Sequence, residues 1–149
     1  MGKRESNIRA QTRLALKPWH PVAVLFETKA GKAVLPGRRY PTTFLPNGWP
    51  DDTLLIRGRA VGVEIKSEKD RLQPDQASMA RIWWIAGCPV IIVREGPDLI
   101  DRLTEVLPPE VLEPPTDQEL ALFREAHSAK WSERPKQWLR HRGFLPAGV

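Results

Sequence analysis

Residues 50 to 66 hold the side chains best able to do chemistry: Pro50-Asp51, then an apolar run, then Glu64-Ile65-Lys66. Two carboxylates can hold a hard divalent cation through oxygen. A lysine beside them is a compact positive charge that can face a reacting phosphate. Together they suit metal-dependent hydrolysis of a phosphodiester. Taken alone, an aspartate some way ahead of a Glu-x-Lys triplet also arises by chance, and a charged strand end is ordinarily a solvated edge. What separates the two cases is the set of elements that position these residues.

Thr53-Leu54-Leu55-Ile56-Arg57 is β-prone and apolar, Gly58-Arg59 reads as a two-residue turn, and Ala60 to Lys66 reads as the return strand of a hairpin. Side chains alternate along a strand, so Glu64 and Lys66 share one face while Val63 and Ile65 share the other. Pairing Arg57 with Ala60 sets Thr53 opposite Glu64 and Asp51 opposite Lys66. Cross-strand partners share a face, which selects Asp51 over its neighbour Asp52. A three-residue loop would reverse the parity and select Asp52.

Around the hairpin, Glu5 to Leu16 reads as a helix ending at Lys17-Pro18. Val22 to Phe26 reads as a strand, followed by a long basic loop to Trp49. Pro74 opens a helix over Asp75 to Ala86, with Gly87 as its stop. Pro89 to Arg94 is almost wholly apolar, as a buried parallel strand should be. Asp98 to Val106 reads as another helix. The predicted fold is α/β: helix, three antiparallel strands, helix, strand and helix, with a mixed four-stranded sheet flanked by helices and a βαβ crossover from the Glu64 strand to the Val90 strand.

Residues 5 to 103 resemble the VRR-NUC family of the PD-(D/E)xK nuclease superfamily. The resemblance rests on Gly48-Trp49-Pro50-Asp51, Val63-Glu64-Ile65-Lys66-Ser67, Arg71-Leu72 with Gln76 beyond, Ala86-Gly87 before an apolar strand, and the helix-one pair Glu5 and Ile8. It implies a restriction-endonuclease-like core. One departure is Asp52, where the family usually has an apolar residue, and this leaves Asp52 open as a substitute or supporting ligand. The resemblance implies magnesium or manganese ligation by Asp51, Glu64 and the backbone carbonyl of Ile65. It gives Lys66 the developing charge on phosphate or attacking oxygen, and Gln76 a supporting hydrogen bond to the lysine or the water. Glu5 matches a helix-one carboxylate that often completes such a site, although an acid near a helix N-terminus is favourable in any case. Stand-alone members of the family look like homodimers, so a homodimer is an expectation too.

DNA is the partner this reading requires. Lys29, Lys32, Arg38 and Arg39 lie in the long loop with Tyr40, Phe44 and Trp49, and Lys69 and Arg71 follow the Glu-x-Lys strand. Basic groups interleaved with aromatic ones suit phosphate contact and base stacking. For Trp49 the packing reading is preferred. Trp83-Trp84, adjacent on a helix, cannot both face the core.

The chain has 149 residues with 23 Lys and Arg against 18 Asp and Glu, a net charge of +5, which permits a polyanionic partner without requiring one. Cys88 is the single cysteine, excluding an intrachain disulfide framework and a cysteine-rich zinc site. His20, His127 and His141 are scattered and form no ligand spacing. No signal peptide and no run of about 18 apolar residues is evident, so no membrane contact and a cytoplasmic location are expected.

A nuclease domain over 1–107 is expected, followed by a proline-bounded helical extension over 108–149 packed on or near the core. In that extension Thr116 to Glu119 has capping-box spacing, opening a helix to about Lys130. The functional expectation is a metal-dependent DNA endonuclease acting on branched or structured DNA such as junctions or flaps. The alternatives are a duplex-specific restriction or repair nuclease on the same scaffold, and a non-catalytic nucleic-acid-binding or assembly module.

Overall fold

The computed structural model describes residues 3–28, 31–33, 36–40, 42–128, 134–141 and 143. In chain order they form α1 (Lys3–Ala15), β1 (Ala23–Glu27), β2 (Gly31–Ala33), β3 (Thr42–Leu45), β4 (Asp52–Ile56), β5 (Arg59–Ile65), α2 (Pro74–Ile85), β6 (Val90–Val93), α3 (Asp98–Val106), α4 (Asp117–Ser128) and α5 (Pro135–His141). Short 3-10 turns lie at Lys17–Trp19 and Pro109–Leu112.

Four strands make the main sheet in the order β1-β4-β5-β6. The first three are antiparallel and β6 joins β5 in parallel, with α2 as the crossover. This is the mixed α/β sheet flanked by helices that the hydrophobic pattern predicts. Alternation sorts its residues. Leu54, Ile56, Val61, Val63, Ile65, Ile91 and Val93 turn to one side, where they form the core with Ile8 and Leu16 near or on α1 and Leu99 and Leu103 on α3. Glu64, between two core residues in sequence, turns to the opposite side.

Three expectations need correction. The long loop contains its own two-stranded sheet, β2 with β3, whose strands are too short to register as a periodic pattern. The hairpin turns at Arg57-Gly58 rather than Gly58-Arg59, so Ile56 pairs with Arg59, Thr53 with Gly62 and Asp52 with Val63. Asp51, one residue earlier, thus falls level with Glu64 rather than Lys66. The first compact unit also extends to Pro115, beyond 107, because Leu107 and Val111 join the core and Trp19 Nε1 donates to the Leu112 carbonyl at 2.7 Å.

The turn sits where it does for a physical reason. Arg57 and Gly58 have φ of 43° and 76°, the paired positive values of the hairpin turn that matches strand twist. A left-handed non-glycine costs about 1–2 kcal/mol. Arg57 offsets this by donating from Nη1 to the carbonyls of Val111 (2.9 Å) and Glu113 (2.6 Å), and from Nη2 to that of Pro114 (3.1 Å). Charge-assisted bonds of this kind contribute about 1.5–3 kcal/mol each where shielded.

The second unit begins at Thr116. Thr116 Oγ1 accepts from the Glu119 N–H and Glu119 Oε1 accepts from the Thr116 N–H, both at 3.1 Å, giving the expected capping box at the start of α4. Trp131, Arg142 and Phe144 lie outside the described residues.

Arg57→Gly removes the backbone strain and the carbonyl clamp together. If the clamp outweighs the strain, urea unfolding will show a loss of about 1–2 kcal/mol, and limited proteolysis will cut the 108–115 segment faster. A variant as stable as the parent would show that the clamp does no more than offset the strain.

Candidate active site

Two glycines bring Asp51 to Glu64. Gly62 lies on the Glu64 side of β5, and a Cβ there would stand 2.6 Å from Pro50 Cγ and 3.0 Å from Val90 Cγ2. Without that carbon, Pro50 settles directly on the strand. Gly48 has φ +82°, and a Cβ there would stand 2.2 Å from the Asp75 carbonyl oxygen. The loop carrying Asp51 therefore closes against the first turn of α2. Trp49 completes the junction, its ring edge-on to Trp83 with centroids 5.1 Å apart. Trp83 is buried and Trp84 is 52% exposed, as adjacent helical positions require.

Asp51 is then fixed from both sides. Its Oδ2 accepts from the Ile65 N–H at 2.9 Å, and its backbone carbonyl accepts from the Thr28 N–H at 2.9 Å. The Thr28 hydroxyl also donates to the Pro50 carbonyl. Lys66 N–H donates to the Val93 carbonyl at 3.0 Å, so its backbone faces β6. Backbone direction alternates along a strand, so the N–H and carbonyl of Ile65 face the other way, toward Asp51. The Ile65 side chain itself is core.

Asp52 does not compete for this position. It pairs with Val63 on the helix α1 side, is 1% exposed, and its Oδ2 accepts from Arg9 Nε at 3.0 Å. Arg9 Nη1 also reaches Glu27 Oε1 at 3.4 Å. Burial pushes the Asp52 carboxyl above its ordinary value against the pull of Arg9. The alternation that turns Asp51 toward Glu64 thus turns Asp52 into an anchor for α1.

Glu64 is 1% exposed, and its Oε2 has no partner among the described residues. Burial first, then the charge of Asp51 and a hydrogen bond with it, push the Glu64 carboxyl up to about 9, while Lys66 pulls it down and Asp75 adds to the rise. Among the described residues no three His, Cys, Asp or Glu side chains converge on a point. An ion here would rest on Asp51, Glu64 and the Ile65 carbonyl, in keeping with magnesium's habit of taking one or two carboxylates and retaining water.

Asp51 opens onto two cavities. One of about 300 Å³ is lined by Glu5, Arg9, Glu27, Thr28, Ile65 and Lys66 besides Asp51. The other, of about 270 Å³, brings Asp51 together with Asn47, Trp49, Gln73, Asp75 and Gln76. The structure therefore gathers Glu5, Asp51, Ile65 and Lys66 around the first and sets Gln76 on the second. Gln76 Oε1 accepts from the Gln73 N–H at 2.9 Å, capping α2, which leaves its NH2 group as the part turned to other uses.

The basic positions are more dispersed. Arg38 and Arg39 are exposed, with the Arg39 guanidinium 5.8 Å from the Tyr40 ring centroid. Lys69 and Arg71 are exposed on the loop after β5. Lys29 lies outside the described residues, as does the side chain of Lys32 in β2. Sequence reasoning missed Arg94, whose Nη1 holds that loop by donating to the carbonyls of Ser67 (2.6 Å) and Asp70 (2.8 Å). It also missed Glu27, Arg9 and Asp75. Only Arg9 left a signal, one helical turn beyond Glu5 on the same face.

No family model matches the chain, and neither does any curated protein. Among solved structures the chain is similar to a VRR_NUC domain, with 20% sequence identity, a TM-score of 0.49, and coverage of 70% of this chain and 97% of the other.

Proposed function

We propose that this chain is a magnesium- or manganese-dependent endonuclease that hydrolyses phosphodiester bonds in DNA, and that its substrate is branched or structured DNA. The observation that carries the reading is the Asp51–Glu64 pair, with the buried Glu64 Oε2 left without a partner beside Lys66. Isolated, that oxygen is a cost of about 1–3 kcal/mol. A cation that both carboxylates could share removes the cost.

When bound, the metal would supply Lewis-acid polarisation of the scissile phosphate and lower the pKa of a nearby water. The protein's own residues do the rest. Asp51 and Glu64 hold their geometry before substrate arrives, because the Ile65 amide and the sheet register fix them. Lys66 faces the same cavity as Asp51 and Glu5, where its ammonium stabilises the charge that grows on the phosphate as the bond breaks. Glu5 adds a carboxylate at the mouth of that cavity, able to accept a proton from water. Gln76 donates from its NH2 group, since its oxygen is committed to the helix cap. Arg38, Arg39, Lys69 and Arg71 meet phosphates away from the reacting one; Lys29 and Lys32 join this proposal on their sequence alone.

The cleavage test incubates the protein with flap, four-way-junction, single-stranded and linear duplex DNA, with Mg2+, Mn2+ or EDTA. Metal-dependent cutting that favours the branched substrates is expected, with Glu64→Ala and Lys66→Ala each slower by at least about 100-fold. Binding without cutting, unaltered by either change, would leave a non-catalytic binding module. Equal cutting of the linear duplex would remove the branched-substrate part.

Proton release offers a second check. Glu64 holds its proton at pH 7.5 in the metal-free chain and must lose it to ligate. Mn2+ titrated calorimetrically at pH 7.5, in buffers of different ionisation enthalpy, should release about one proton per ion, and Glu64→Gln should abolish the release. Binding without proton release would count against Glu64 as a ligand.

The same carboxyl sets a pH dependence of stability. Its pKa is higher folded than unfolded, so its contribution is full below about 4.5 and is lost as pH rises toward 9. In EDTA, Glu64→Gln should melt at least about 3 °C above the parent at pH 8, equivalent to about 1 kcal/mol, with a smaller difference at pH 5. A variant no more stable at pH 8 would mean that folding does not hold a proton on Glu64 at that pH.

A further inference from the structure

The cavity holding Asp51 and Lys66 is walled by Glu5 and Arg9 from α1 and by Glu27 and Thr28 at the end of β1. Further along the same two elements lies a larger open groove of about 900 Å³, lined by Ala10, Arg13, Leu14, Lys17, His20 and Leu25 among others. It therefore leads away from the candidate site between α1 and β1, the edge strand of the main sheet. Its lining contains no acidic residue. Arg13 and Lys17 are one turn apart on the helix and its continuation, about 6 Å along the axis. Leu14 is 68% exposed.

Charge and shape together choose the occupant. The candidate site is rich in carboxylates, so a polyanion must be held by cations outside it. Arg13 and Lys17 supply them along the groove. The apolar surface between them, Leu14, Leu25 and Ala10, has no counterpart on the outside of a duplex, whose bases are stacked away from such a groove. In an unpaired strand the bases and sugars are open to it. We propose that the α1–β1 groove takes a single-stranded arm of nucleic acid that continues from the scissile phosphate, with its phosphates on Arg13 and Lys17. This rests on the nuclease reading above and specifies the form of its substrate.

Binding in EDTA tests the groove without requiring cleavage. Fluorescence anisotropy with a labelled single-stranded oligonucleotide and a blunt duplex would compare the parent, Arg13→Glu/Lys17→Glu, the milder Arg13→Gln/Lys17→Gln, Leu14→Ser and a charge-matched control, Arg102→Glu/Arg124→Glu. The glutamate pair should weaken single-strand binding at least tenfold beyond the control and leave duplex binding within about twofold. The glutamine pair should flatten the salt slope for the single strand by about 1.4, the value for two lost phosphate contacts. Leu14→Ser should weaken the single strand with an unchanged slope. Single-strand binding equal to the parent's in both pairs would overturn the groove, and so would equal losses on single strand and duplex. A parent protein that binds neither DNA would overturn the nuclease reading itself, together with the groove.

Discussion

The rest of the site depends on two carboxyl groups being held side by side at the rim of a sheet. Asp51 stands one residue ahead of the Asp52–Val63 pair, level with Glu64 on β5, and burial together with the nearby Asp51 charge pushes the Glu64 carboxyl up to about 9. Nothing in the local chain favours this arrangement. It persists because Pro50 packs on Gly62, Gly48 closes on the first turn of α2, and the Ile65 amide takes one oxygen of Asp51. Packing thus imposes a polar conflict that the fold alone does not resolve. Local cost of this kind, over-determined by its surroundings, is a common signature of a functional site.

Two adjacent aspartates illustrate how strand alternation divides labour. Asp51 and Asp52 are identical in chemistry, yet one meets Glu64 and the other meets Arg9. The choice between them follows from parity alone. A turn placed one residue away from its predicted position, but still two residues long, moved Asp51 from opposite Lys66 to level with Glu64 and kept it on the same side. A loop of odd length would have exchanged the two residues. Side-chain parity survives a shift in turn position and is inverted by a change of one in turn length.

That asymmetry explains which parts of the molecule were legible in its sequence. The main sheet, its parallel last strand, α2 after Pro74 and α3 follow from hydrophobic period and from proline and glycine at the ends. The Asp51, Glu64 and Lys66 constellation follows from period two across one hairpin. Features that rest on distant partners were not legible. Arg57 at positive φ makes sense only with the carbonyls of Val111, Glu113 and Pro114, more than fifty residues away. Arg94 reads as the polar end of a strand until Ser67 and Asp70 are seen around its guanidinium. Glu27 falls just past the predicted strand with no pattern to single it out, although it lines the same cavity as Asp51. The β2–β3 pair is too short for any periodic signal.

Helix α1 links the core, the candidate site and the groove beyond it. Its hydrophobic anchor, Ile8, would allow some rotation about the helix axis, because apolar contact is not directional. The Arg9–Asp52 bond restricts that rotation. A buried pair of this kind adds little net stability, since desolvating both ions offsets most of their attraction. Removing either partner, however, leaves a buried charge unpaired. The pair therefore acts more on orientation than on stability. One turn before Arg9 stands Glu5, and one turn after it stands Arg13. Fixing Arg9 consequently fixes a carboxylate at the mouth of the cavity and a cation beyond it, on a single rigid element. Asp52, buried opposite Arg9, is the group that makes this orientation possible.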